Sequence, residues 1–119
     1  MTAVRRALGA YGERRAVRYL VEAGMRVVAC NWRCAIGEVD IIAWDRDELV
    51  FCEVKTRRGA DFGSPAEAVV PAKVRRLRRL AAQWLADGGA SPRAVRFDIV
   101  EVLVPARGAA RISHIRGAF

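Results

Sequence analysis

The chain has 119 residues, a formal net charge of +8 and an isoelectric point near 10.6. That length suits a single domain over residues 1–119 with one core, and no apolar run is long enough for a transmembrane helix. The arginine excess points to a polyanionic partner, most simply nucleic acid, and leaves RNA and DNA equally open; the competing account is arginine spread over solvated faces.

Residues 3–23 are predicted to form a helix with Gly24 as its C-terminal cap. Ala16, Val17, Leu20 and Ala23 make its apolar stripe, and Arg5, Arg6, Arg14, Arg15 and Arg18 cover much of the rest. Glu13 stands three and four positions before Ala16 and Val17, at the head of that stripe. An acid there needs a partner, unless it is only a glutamate favoured by the helix dipole. The segment MTAVRRALGAYGERR lacks the apolar core of a signal peptide, and the three cysteines are an odd number; both lead to an expected cytoplasmic location.

Residues 25–33 are predicted to be the first strand, anchored by Val27 and Val28. Cys30 and Cys34 lie about 13 Å apart along such a strand. With His114 the only histidine, a zinc site is not expected, and all three cysteines are assigned to the buried interior as small hydrophobes.

Gly37 to Arg58, GEVDIIAWDRDELVFCEVKTRR, carries the chemistry. Val39–Trp44 and Leu49–Lys55 flank the polar break Asp45–Glu48 and predict a β-hairpin. Pairing Asp45 with Glu48 puts Asp40 opposite Glu53, and Glu38 opposite Lys55. Alternation places Val39, Ile41, Ala43, Val50, Cys52 and Val54 on one apolar face. Asp40, Ile42, Trp44, Phe51, Glu53 and Lys55 share the other, apolar at the turn end and charged at the far end. Such a sheet is expected to be covered on both sides, with acids gathered at one rim. Facing carboxylates repel unless one is protonated or a cation lies between them. Mg²⁺ favours one or two carboxylates, waters and a phosphate oxygen. The Lys55 ammonium reaches the same space, where it could orient water or stabilise charge on a phosphate. A cross-strand charge ladder, with Lys55 neutralising Glu38 and Glu53, is the structural alternative.

Downstream, residues 59–64 are expected to be a loop. Ser64-Pro65-Ala66-Glu67 has a capping-box pattern for a helical turn at 65–70. Pro71 interrupts, and a longer helix follows at 72–86, ended by Gly88-Gly89. Its buried stripe is expected at Val74, Leu77, Ala81 and Trp84. Lys73, Arg75, Arg76, Arg78 and Arg79 form the densest basic patch of the chain. Residues 95–104 are predicted to be a strand parallel to the third, reached by a right-handed crossover. Residues 111–115 form a short last strand, on which His114 is assigned a structural role at the sheet edge.

Asp40 followed by Glu53-Val54-Lys55 resembles the D…ExK signature of the PD-(D/E)xK nuclease superfamily, the restriction-endonuclease-like phosphodiesterases. The likeness extends to Gly12-Glu13, Asn31-Trp32-Arg33, Gly37-Glu38-Val39-Asp40, Glu53-Val54-Lys55-Thr56-Arg57, Phe62-Gly63-Ser64-Pro65, Lys73, Arg96-Phe97-Asp98 and Ala118-Phe119. This ordered set resembles the bacterial YraN-like family, related to archaeal Holliday-junction resolvases.

The resemblance implies an α/β fold with an αβββαβ core, a mixed central sheet flanked by helices, and one added strand. It implies Mg²⁺- or Mn²⁺-dependent hydrolysis of structured DNA, branched DNA included. Glu13, Asp40 and Glu53 would hold the metal and Lys55 would position or activate water. Glu38 would stand in the outer shell. Arg57, Arg58, Lys73, Arg75, Arg76 and Arg79 would contact nucleic-acid phosphates. No membrane partner is expected, and a homodimer is compatible with the chain. The alternatives are a non-catalytic nucleic-acid-binding module of the same fold, and an adaptor whose basic helix docks an acidic protein.

Overall fold

The computed structural model describes residues 2–59, 70–88 and 90–119. Its elements are α1 (Ala3–Glu22), β1 (Arg26–Cys34), β2 (Gly37–Asp45), β3 (Glu48–Arg58), α2 (Pro71–Gly88), β4 (Ala94–Val104) and β5 (Arg111–Ile115). The five strands form one sheet in the order β1-β2-β3-β4-β5. Neighbours are antiparallel except β3 and β4, which run parallel, as a connection through a helix allows. This is the expected mixed-sheet α/β fold. No helix of the described residues is long and apolar enough to cross a membrane.

Each helix covers one face. Ala16 and Leu20 of α1 pack with Ile41, Ala43, Val50, Cys52, Val100 and Val102. Leu77, Leu80 and Ala81 of α2 pack with Val39, Ile42, Leu49, Phe51 and Phe97. Thr2 caps α1, its hydroxyl accepting from Arg5 N at 3.1 Å, and Gly24 beyond the helix takes a φ of +94°. Gly12 is buried on the row Gly12, Ala16, Leu20, and a Cβ there would collide with the Thr56 side chain. This close approach lays α1 directly on the end of β3 and fixes where the next residue, Glu13, stands.

The hairpin keeps its expected register from Asp45↔Glu48 to Ile41↔Cys52, with Arg46 at φ +58° in the turn. There the β2–β3 ladder ends, although both strands continue. Glu38 therefore faces Arg33 on β1 rather than Lys55, and Lys55 is opposite Glu101 on β4. Val39 also departs from expectation. It packs in the α2 core beside Ile42, although strict alternation would send it to the α1 side. The reason is local. Asn31 has a φ of +53° between the pairs Cys30↔Ile41 and Trp32↔Val39. A left-handed residue breaks the two-residue period, so Trp32 and Val39 both turn to the α2 side. Asn31 and Asp40 occupy the point of the flip.

Several smaller expectations are corrected. Ala23 is exposed and caps α1 instead of packing under it. Cys30 is exposed and Cys34 half-buried because β1 is an edge strand; only Cys52 is interior. Pro71 begins α2 rather than interrupting it, its fixed φ suiting the first helical position. Leu80 joins the buried stripe of α2. The Phe62–Pro65 motif and the predicted turn, apart from Val70, lie outside the described residues.

His114 lies on the edge strand β5 in the structural role expected of it, with its side chain only 3% exposed. It belongs to a buried charge network at the turn end of the hairpin. Asp98 accepts from His114 Nε2 at 2.7 Å, from Arg96 Nε and Nη2 at 2.9 Å each, and from Gly117 N at 3.0 Å. Arg96 Nη1 continues to Asp45 and Glu48, both at 2.9 Å. Burial opposes ionisation of Asp98, but hydrogen bonds from His114, Arg96 and the Gly117 amide outweigh it and hold the carboxyl at about 2. Phe119 stacks on Phe97 beside this network.

Candidate active site

Beyond Ile41 and Cys52 the freed edges of β2 and β3 form a fork. Val54 N donates to Asp40 Oδ2 at 2.8 Å, so a side-chain carboxylate takes the place a ladder carbonyl would hold. This pins Asp40 inside the fork, within reach of both faces of the sheet. On the α1 side it lines one cavity with Glu13, Arg14, Cys30 and Asn31, and a second with Arg5, Glu13, Val54 and Thr56. On the α2 side it lines a cavity of about 280 Å³ with Glu38, Glu53, Arg76 and Leu77.

The electrostatics of this fork are strained. Burial lifts the Asp40 carboxyl to about 6 against the opposing hydrogen bond from Val54, and the charges of Glu13, Glu53 and Glu38 push in the same upward direction. Glu53 Oε1 pairs with Lys73 Nζ at 2.6 Å, while Oε2 is buried with no hydrogen-bond partner among the described residues. Burial lowers the Lys55 pKa, and Lys73 beside it lowers it further, against the pull of Glu53. Glu38 leans outward to Arg33, 3.4 Å away.

The expected residues thus meet only in part. Asp40 shares cavities with both Glu13 and Glu53, but Glu13 belongs to the α1 side and Glu53 to the α2 side. Among the described residues no three His, Cys, Asp or Glu side chains form a ready metal cluster. Asp40 and Glu53 by themselves supply hard oxygen donors, one of them a buried oxygen with no partner among the described residues, and this donor set fits Mg²⁺, which needs only one or two carboxylates. Arg75, Arg76 and Arg79 line a groove of about 650 Å³ against Ala35 and Ile36, and Arg76 borders the acid cavity as well. Arg58 is exposed, and Arg57 stands 3.1 Å from Glu101.

Two features of the site escape a reading by strand pattern. Lys73 reaches Glu53 from α2, which strand alternation cannot place. Asn31 left one usable signal, an asparagine inside a strand, because Asn tolerates the left-handed region better than most residues.

A profile described as "Uncharacterised protein family UPF0102" matches residues 12–102, which contain every acid and lysine of the fork. A UPF0102 protein of Streptomyces griseus is 59% identical over 114 residues, covering 95% of this chain and 96% of the relative. One from Kineococcus radiotolerans is 55% identical over 112 residues, covering 93% and 92%. A third, from a Nocardioides species, is 50% identical over 115 residues, covering 97% and 93%. The chain is therefore a member of the UPF0102 family.

Proposed function

We propose that the protein is a metal-dependent nuclease of the PD-(D/E)xK type that hydrolyses phosphodiester bonds in structured DNA, branched DNA included. The observation that carries this reading is the fork itself. Asp40 and Glu53 stand in one cavity, with a carboxylate oxygen that has no partner among the described residues and an acid lifted to about 6, next to an arginine-lined groove. A protein that only gripped phosphate would gain nothing from carboxylates placed there, since they repel its ligand.

In this reading Asp40 and Glu53 hold Mg²⁺ or Mn²⁺, and Glu13 contributes from the α1 side. The ion, when bound, supplies Lewis-acid activation of the phosphate and of a water. Lys55 orients the attacking water and stabilises charge developing on the phosphate oxygens. Arg75, Arg76 and Arg79 hold the neighbouring backbone, and Glu38, tied to Arg33, borders the cavity as an outer acid. Arg57 and Arg58 extend the basic surface along β3.

The second reading is a non-catalytic nucleic-acid-binding module. It is favoured by one observation, the ammonium of Lys73 already placed on Glu53. Single-turnover assays with linear, flapped and four-way DNA in Mg²⁺ or Mn²⁺ separate the two. Cleavage that Asp40→Asn and Glu53→Gln abolish supports the nuclease. Tight, salt-dependent DNA binding with no cleavage of any substrate would establish the binding module.

A further inference from the structure

Of the 21 lysines and arginines in the chain only two are lysine, Lys55 and Lys73, and both stand at the acid fork. Everywhere else the chain uses arginine. The difference matters chemically. An ammonium is a compact charge on a flexible stem and can change partners, whereas a guanidinium is a broad, rigid fork.

Lys73 is held in an awkward place. It lies in the first turn of α2, where the helix dipole disfavours a cation, and it stands next to the like-charged Lys55. What holds it is Glu53 Oε1 at 2.6 Å, in a pair whose side chains are 15% and 16% exposed. The arrangement leaves Glu53 Oε2 without a partner among the described residues, and Asp40 faces Glu53 across the same cavity. One positive charge at the edge of the cluster therefore does incompletely what a divalent ion between Asp40 and Glu53 would do fully.

We infer that Lys73 is the internal counter-ion of the acid fork, displaced from Glu53 when a divalent cation binds and released to take a phosphate oxygen of the nucleic acid. This rests on the metal-site reading above and adds an order of events to it. The metal-free fork is closed by its own lysine, and occupation by metal creates a phosphate-binding ammonium. Metal and DNA then bind with positive coupling that runs through Lys73.

The test is amine acetylation of the full-length protein with acetic anhydride, mapped by peptide mass, with and without Mn²⁺. Binding of Mn²⁺ to the same preparation is measured by calorimetry. With only two lysines the map is unambiguous. Mn²⁺ should raise the acetylation rate of Lys73 by on the order of tenfold, as its paired state goes from dominant to minor. Lys73→Met should bind Mn²⁺ at least roughly tenfold more tightly than the wild type, because a competing charge a few ångströms away has gone. If Mn²⁺ binds and Lys73 stays protected, the displacement is overturned while the metal site stands. If the wild type binds no Mn²⁺ but Lys73→Met does, the displacement is overturned and Lys73 is a permanent block on the site. If neither binds, the metal reading and this inference fall together. Should Lys73→Met not fold, Glu53→Gln serves instead: it must raise Lys73 acetylation without metal, and unchanged reactivity would overturn the pairing.

Discussion

The two ends of the β2–β3 hairpin carry charge clusters built on opposite principles. At the turn end, Asp98, Arg96, His114, Asp45 and Glu48 form a closed network in which Asp98 accepts four hydrogen bonds. At the fork end, Asp40 lies between Glu13 on the α1 side and Glu53 and Glu38 on the α2 side, and Glu53 Oε2 is buried with no hydrogen-bond partner among the described residues. The same strands support both, so the contrast is not one of fold. A saturated cluster fixes structure. An unsaturated one stores unfavourable free energy that a ligand can release. The titration behaviour follows, with Asp98 held down at about 2 and Asp40 lifted to about 6.

The largest effect is expected at the saturated end. Asp98→Ala leaves Arg96 and His114 buried without their shared acceptor and should lower unfolding stability by about 3–5 kcal/mol, read in urea melts. A decrease below about 1 kcal/mol would mean that the network is not a structural clamp. At the fork, Lys55→Met should leave folding and DNA binding in Mg²⁺ intact. It should slow single-turnover cleavage of a four-way junction by a factor on the order of 10²–10³. Undiminished cleavage would remove Lys55 from the chemistry.

Asp40→Asn should move stability in the opposite direction from Asp98→Ala. Asn keeps an acceptor for Val54 N and removes the strained charge. The folded pKa of Asp40, about 6, lies above its reference value of 3.8. The native state therefore holds the proton more tightly than the unfolded chain. The stability it contributes is full below about pH 4 and is lost as pH rises through 6, a penalty of roughly 3 kcal/mol at pH 8. Metal-free Asp40→Asn should thus gain about 1–3 kcal/mol at pH 8 and nothing at pH 4. Asp98, depressed to about 2, has the reverse sign: its contribution is present above its unfolded pKa and disappears as pH falls through 2. Metal-free wild type should accordingly gain stability from pH 8 toward pH 5 and lose it in stronger acid. A flat profile between pH 8 and pH 5 would show that Asp40 is not strained.

The sequence spoke clearly where local rules dominate and poorly where elements meet. The hairpin register followed from the turn at Asp45–Glu48 and two-residue alternation, and it places Asp40 and Glu53 on neighbouring strands. The fork was not legible, because the left-handed Asn31 breaks alternation at the functional position and sends Val39 to the other face. His114 was legible as a structural residue of an edge strand, but its burial was not, because that depends on Asp98 and Tyr19 reaching it from elsewhere. Lys73 looked like one more basic residue of a helix face, and only the packing of α2 against the sheet turns it toward Glu53. Gly12, a plain helical glycine in the sequence, sets the approach that brings Glu13 to Asp40.

The smallest effect, and the one that joins the fork to its substrate, concerns the groove of Arg75, Arg76 and Arg79. These side chains project from α2 into solvent around a floor made by Ala35, Ile36 and Ala72. Changing all three to Ala should therefore leave the core, and hence the melting temperature, nearly unaltered. If they hold phosphates, duplex-DNA affinity falls, and the slope of log affinity against log salt becomes shallower by roughly 0.9 for each phosphate no longer neutralised. Arg76 should matter more for cleavage than the other two, because it alone of the three also borders the cavity of Asp40 and Glu53. Arg76→Ala alone should then reduce cleavage at saturating DNA, whereas Arg75→Ala and Arg79→Ala should weaken binding and spare the saturated rate. An unchanged salt slope in the triple variant would place the nucleic acid on another face. Equal kinetic effects from all three single variants would mean that the groove and the acid cavity do not act on the same strand.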